Sequence, residues 1–487
     1  MGKNKPLSAE QQAEKKKSLL ITIAVILAAV LVLGLVAYAR LSDSGVILRS
    51  KTAAESENYK VSGTMMAYFF NNNYQSYAQT LQYLGVDTSK PLKSQSCPYL
   101  SEEGTWFDYF VAMTKDYTKN ILALCEGANK AGITLDDADK ADIDSSLGQL
   151  KSAASSSGYA VNQYLAALTG VGVNIKDVEK CMELTALASK YRTAYVEGLS
   201  YTDDEISAYA DANPDKINGV DYYAYTIKTT DIAEKDADGN PVGDATENAS
   251  LLYAEAEKLA AAKTSDEFIS LIRAYMADKK SMEEADIDSE VESAFTRHAL
   301  KSNLAAVADW AFEAKAGDTY ISGNNGDSTL AVYFLAKEAY RDETPTRNVR
   351  HILFSSDTYK DDTEVKAAYA EWESAGFTEE KFLELEKKYN EDTGSSENGG
   401  LYENVTVGST VNEFNAWLFD DARKAGDHDI VESSYGWHIM YYVGEGDSVT
   451  WKSTAKDDMM DDDYNEMIKE YSAGITYNDK VIEGISA

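Results

Sequence analysis

Val349-Arg350-His351-Ile352-Leu353-Phe354 and Gly436-Trp437-His438-Ile439-Met440-Tyr441 are two short apolar runs in a chain that has only four histidines in 487 residues. Both are rich in β-branched or aromatic residues, so each reads as a buried strand. Each also places an imidazole where an apolar side chain is expected. A buried imidazole needs a hydrogen-bond partner. Two arrangements meet that need: separate core histidines, each bonded to the backbone, or one site built from both.

Working outward, the text around these strands occurs twice. Thr264-Ser265-Asp266-Glu267-Phe268 leads to Leu271, Tyr275 and Asp278, and Thr378-Glu379-Glu380-Lys381-Phe382 leads to Leu385, Tyr389 and Asp392 at the same spacing. Trp310-Ala311-Phe312 with Ala316-Gly317-Asp318 returns as Trp417-Leu418-Phe419 with Ala425-Gly426-Asp427, and Tyr333-Phe334-Leu335 returns as Tyr441-Tyr442-Val443. Two tandem copies of one α+β unit are expected, each a small, mostly antiparallel sheet with packed helices. Phe268, Leu271 and Tyr275 fall at i, i+3 and i+7, the core stripe of a helix, so they and their equivalents are scaffold. On this spacing Tyr222 stands in the first copy for His351, Leu330 for His438 and Val307 for Phe414. The scaffold therefore does not require imidazoles, which favours one site over two structural histidines.

Composition narrows the rest. A net charge of −35 repels phosphate, and no basic stripe with interleaved aromatics appears, so nucleic acid is excluded as a partner. Residues 18–39 (SLLITIAVILAAVLVLGLVAYA) carry no charge and as a helix span about 33 Å, enough for a bilayer. Lys3, Lys5, Lys15, Lys16 and Lys17 precede them, which orients residues 1–17 as a cytoplasmic tail and the bulk of the chain outside. A cleaved signal peptide ending near Ala37-Tyr38-Ala39 is the alternative, but an apolar core this long fits a retained anchor better. Cys97, Cys125 and Cys181 are an odd set without Cys-x-x-Cys spacing and read as small apolar fillers. From Lys51 to Ser200 apolar residues recur at helical spacing, and Thr202 with Glu205 forms a capping box that opens a further helix, ending near Asn213-Pro214. Asp236-Ala237-Asp238-Gly239-Asn240-Pro241 reads as a polar surface loop.

Arg350-His351-Ile352-Leu353, then Tyr389-Asn390-Glu391-Asp392 with Asn398-Gly399-Gly400-Leu401, then Glu413-Phe414 with Trp417-Leu418-Phe419, and finally Gly436-Trp437-His438-Ile439 occur in one order over about a hundred residues. In this the second copy resembles the parvulin family of peptidyl-prolyl isomerases. A membrane-tethered helical region ahead of such a domain is similar to the PrsA- and SurA-like extracytoplasmic foldases. The resemblance implies that His351 and His438 lie side by side on adjacent central strands. It implies catalytic roles for them with Asp392 (Thr393 being the alternative) and with Ser433, whose hydroxyl orients the network of the first histidine. Leu401, Thr410, Phe414 and Tyr435 are implied to bind substrate, Leu401 and Phe414 holding the proline ring. The chain departs from the family where Gly399-Gly400-Leu401 lacks the usual aspartate and where Thr410 replaces a methionine.

The implied organisation is an α+β chain: tail 1–17, transmembrane anchor 18–39, all-α chaperone-like domain 40–215, degenerate parvulin-like domain 216–345, isomerase domain 346–447, and a segment 448–487 packing on the N-terminal helices. The implied function is an extracytoplasmic peptidyl-prolyl cis-trans isomerase and foldase, or alternatively a non-catalytic holdase. Its partners would be unfolded or nascent secreted polypeptides with X-Pro bonds and the membrane, with a homodimer left open. No cofactor or metal is called for, and the expected location is the cell membrane, single-pass.

Overall fold

The computed structural model describes residues 44–485 apart from 78–79, 82–83, 101–103, 170–171 and 233–243. The chain divides into two units, one running to Ser200 and resuming at Asp462, the other spanning Tyr201–Asp461.

The first unit is mostly helical. Among the described residues its longest helix, Trp106–Ala131, begins where Thr105 and Asp108 cap one another's backbone N–H groups and ends at Gly132, whose φ of 71° a side-chain-bearing residue would resist. With the helices Gly63–Ser76 and Ile175–Gly198 it encloses Phe70, Phe110, Leu122 and Cys125, joined by Met467, Val481 and Ile482 from the end of the chain. Beside the helices lies a three-stranded sheet in which β1 (Thr52–Glu55) pairs with β2 (Lys60–Ser62) and with the strand Thr476–Tyr477. All three cysteines are buried and unpaired, and burial pushes the Cys125 thiol up to about 12, as for inert fillers.

The second unit opens with the helix Asp203–Ala212, capped reciprocally by Thr202 and Glu205, and then holds two sheets of the same design. In the first, β3 (Gly219–Lys228), β4 (Phe295–Leu300), β5 (Thr319–Ser322) and β6 (Thr329–Tyr340) lie in the order β4-β3-β6-β5. In the second, β7 (Pro345–Ser355), β8 (Leu401–Val405), β9 (His428–Ser433) and β10 (Gly436–Val449) lie in the order β8-β7-β10-β9. Every pairing is antiparallel. Even the irregularities repeat. His298 in β4 and Asn404 in β8 both take φ 52°, and each backbone N–H is received by a side-chain oxygen of the neighbouring strand, Asp221 at 2.8 Å and Asn348 at 2.7 Å.

These landmarks correct the sequence alignment of the copies. His351 faces Met440 where Ala224 faces Tyr333, and His438 faces Leu353 where Ala331 faces Thr226. The residues standing for the two imidazoles are thus Ala224 and Ala331, not Tyr222 and Leu330. Alternation along β7 and β10 then sorts the second module's core onto two faces. Ile352, Phe354 and Ile439 meet Trp372 and Phe382 of the helices Thr363–Ser374 and Glu379–Tyr389, while Val349, Met440 and Tyr442 meet Phe414 of the helix Asn412–Leu418.

The expectation of a membrane-spanning helix, and with it the single-pass location at the cell membrane, is corrected. Among the described residues no helix is long and apolar enough to cross a membrane. The long helices Trp106–Ala131, Ile175–Gly198 and Thr450–Ser472 are charged throughout, as helices with a solvated face must be. Residues 18–39, on which the anchor rested, lie outside the described residues, as does the loop 236–241.

Gly436 starts β10 at φ 126°, where an added Cβ would sit 2.1 Å from the Phe354 carbonyl oxygen and 2.7 Å from the Ser356 nitrogen. Gly436→Ala should therefore cost about 2–4 kcal/mol, since both strain and a backbone clash oppose it. A urea unfolding midpoint equal to that of the wild type would count against this packing.

Candidate active site

His351 and His438 project from adjacent central strands onto one face of the second sheet, and β7–β10 pairing brings their Nδ1 atoms to 3.3 Å. The loop Asn390–Gly400 is fastened along β7 to meet them. Asn390 Oδ1 accepts from the Leu353 N–H at 3.0 Å, the Glu391 N–H donates to the Leu353 carbonyl at 3.0 Å, and the His351 N–H donates to the Gly400 carbonyl at 2.8 Å. Gly400 is obligatory at that contact, because a Cβ there would lie 2.2 Å from the His351 carbonyl oxygen. So fixed, the loop presents Asp392 Oδ2 to His351 Nε2 at 2.9 Å.

Three donors converge on that carboxylate oxygen: His351 Nε2, Ser395 Oγ at 2.6 Å and Tyr402 Oη at 2.7 Å. The bond from His351 and those from the two hydroxyls hold the Asp392 carboxyl well below the usual carboxylate range. In the neutral form of His351 an ionised Asp392 holds the ring proton on Nε2, and Nδ1 is then a lone pair facing His438. His438 must then donate from Nδ1, which leaves its Nε2 to accept from Ser433 Oγ at 2.8 Å. The result is a one-way chain of hydrogen bonds, Ser433 to His438 to His351 to Asp392. Burial, reinforced by the neighbouring His351, pushes His438 down to about 3, so it is uncharged near neutrality. Both imidazoles are under 5% exposed, at 3% and 4%, and Phe414 stands edge-on to them at 5.4 and 5.5 Å.

The sequence-derived residues divide. His351, His438, Asp392, Ser433 and Phe414 come together, but Ser433 serves His438 rather than the first histidine. Leu401 pairs with Arg350, and both side chains lie on the sheet face opposite His351, so Leu401 is not part of this wall. Among the described residues nothing bonds the buried Thr410 hydroxyl, and no hydrogen bond or ring contact joins it to the imidazoles. Tyr435 is 61% exposed at the tip of the β9–β10 hairpin, its N–H donating to Ser433 Oγ at 3.2 Å. Thr393 makes no bond to His351; that position is filled by Asp392. Sequence reading missed Ser395 and Tyr402. The signal for Tyr402 was its place one residue beyond Leu401, which alternation turns onto the imidazole face.

His438 is expected to keep a single proton, on Nδ1, down to about pH 4. The unfolded chain takes up a second proton there near 6.5, whereas the folded chain does so only near 3, so this residue withdraws stability as pH falls from 6.5 towards 3. Imidazole 15N shifts across a pH titration check this, and a His438 ring that protonates near pH 6.5 contradicts it.

Residues 333–444 match the family model described as the PPIC-type PPIASE domain. Foldase protein PrsA 1 of Listeria innocua is 28% identical over 128 residues, 26% of this chain and 38% of the relative. Chaperone SurA of Pseudomonas fluorescens is 32% identical over 104 residues, 21% of this chain and 24% of the relative. The chain thus aligns with well under half the length of these curated relatives. The crystal structure of PrsA from Bacillus subtilis covers 80% of this chain and 93% of its own at 12% identity, with a TM-score of 0.24, too loose a superposition to bear on the fold. The second module, which carries both imidazoles, Asp392 and Phe414, therefore belongs to the parvulin-type, or PPIC-type, peptidyl-prolyl isomerase family.

Proposed function

We propose that the second module isomerises X-Pro peptide bonds in unfolded polypeptides, secreted chains among them, and that the protein works as a foldase. The observation that carries this reading is the convergence of two imidazoles, one carboxylate and the edge-on Phe414 on one wall. Rotation about X-Pro breaks amide resonance against a barrier of roughly 18–20 kcal/mol and makes or breaks no σ bond. No nucleophile is required, nor a proton transfer. The need is for a surface that fits the twisted amide better than the planar one. Phe414 offers an apolar seat for the proline ring, and the Ser433–His438–His351–Asp392 chain offers fixed dipoles in a dry setting where they act strongly. Tyr435 is assigned to the rim, and Thr410 is assigned no direct contact with substrate. The first module, with Ala224 and Ala331 in place of the imidazoles, is assigned no catalysis.

In a protease-coupled assay on a proline peptide, His438→Ala and Phe414→Ala should each lower kcat/KM of the full chain by about tenfold or more, or about 1.4 kcal/mol. A wild-type rate no greater than the uncatalysed one would refute the isomerase reading.

A holdase reading has its own support. The imidazoles are almost fully covered, whereas the helical unit carries an open groove of about 500 Å³ lined by Tyr68, Phe69, Tyr117 and Met182. The groove also carries Asn72, Asn73, Ser76, Thr185 and Ser189, and such a mix of aromatic and polar side chains suits unfolded segments with both apolar groups and free backbone. Suppression of client aggregation should then survive His438→Ala and fall in a Tyr68→Ser/Tyr117→Ser double variant, as read by light scattering. Equal suppression by that double variant and the wild type would exclude this groove.

A further inference from the structure

Tyr402 is not among the residues that the sequence motif singles out, yet it touches both ends of the His351–Asp392 bond. It sits on β8 opposite Val349 and so points to the same face as His351. Its ring lies nearly parallel to the His351 imidazole, with centroids 5.1 Å apart and planes 21° apart, while Phe414 meets that imidazole at 86° from another side. Its hydroxyl donates to Asp392 Oδ2 at 2.7 Å. One rigid side chain thus fixes the plane of the imidazole and the azimuth of the carboxylate it bonds. Burial and the adjacent carboxylate push the phenol up to about 12, so it stays a donor over the whole neutral range.

The first module supplies a control. By strand register Thr296 stands where Tyr402 stands, in the module that has Ala224 where the second has His351. Thr296 bonds Asn412 instead, at 3.3 Å. The sheet therefore closes without an aromatic residue there. The tyrosine accompanies the imidazole, not the scaffold.

We propose that Tyr402 is a positioning residue of the isomerase site, holding Asp392 and His351 in the one arrangement that keeps the hydrogen-bond chain running from Ser433 to the carboxylate. The kinetic part of this claim rests on the isomerase reading above; the spectroscopic part does not. Tyr402→Phe in the full chain keeps the stacked ring and removes the donor. It should leave the thermal midpoint nearly unchanged, lower kcat about tenfold and leave KM within about twofold. Asp392, having lost a donor, should protonate more readily, so the acid limb of the kcat profile should move to higher pH. The His351 Nε2 and His438 Nδ1 15N shifts should move as the chain loosens. Tyr402→Leu, which also removes the ring, should cost more than Tyr402→Phe. A site-specific difluorotyrosine at 402, nearly isosteric and a stronger donor, should move the acid limb the other way and serves if Tyr402→Phe does not fold. A mere core filler would give wild-type 15N shifts and an unmoved pH profile in Tyr402→Phe, and that result overturns the proposal. Should the wild type show no isomerase activity, the functional reading fails, and the 15N shifts alone still decide the role of Tyr402.

Discussion

The antiparallel pairing of β7 with β10 is the contact on which the second module depends. It is the central pair of the sheet, and it aligns His351 with Met440 and His438 with Leu353 so that both imidazoles emerge on one face. Side chains alternate along a strand, so a slip of one residue would turn one imidazole into the Trp372–Phe382 core and leave the other unpartnered. Such a slip would cost the core and the site together. Packing and chemistry are thereby held by the same constraint, and Gly436 pins the register at the point where β10 begins.

Within that frame the polar chain is stable because each member completes the next. Asp392 without its three donors would be a costly partly buried charge, and His438 without Ser433 and His351 would be a buried ring with unmet nitrogens. Fully connected, the same groups impose one proton arrangement on the whole site. Ordering the loop Asn390–Gly400 to bring the carboxylate in costs backbone freedom, and its bonds to β7 offset part of that cost.

Much of this is legible in the amino-acid sequence. The tandem copies, the strand character of both histidine runs and the convergence of His351, His438, Asp392 and Phe414 follow from spacing, hydrophobic pattern and family likeness. Other parts were not legible, for physical reasons. The strand alignment of the two modules is fixed by a backbone conformation shared by His298 and Asn404, residues with nothing in common as letters, so spacing alone points to Tyr222 and Leu330 in place of Ala224 and Ala331. Leu401 and Tyr402 exchange their apparent roles because only the pairing with Arg350 and Val349 decides which of the two faces the imidazoles. Ser395 is fully buried inside a loop that composition alone marks as exposed. The apolar run 18–39 suggests a bilayer anchor by length and hydropathy, an expectation corrected above, and no described helix is long and apolar enough to cross a membrane.

The repeated φ of 52° at His298 and Asn404, each with its N–H held by the facing strand, is a backbone design that the two modules share although their side-chain chemistry differs. The molecule consequently carries its own blank. The first module has the same strand order, the same bulge and no imidazole pair, under the same solvent and in the same unit. A perturbation felt equally by both modules concerns the shared framework, and one felt by the second alone concerns the chemistry laid over it.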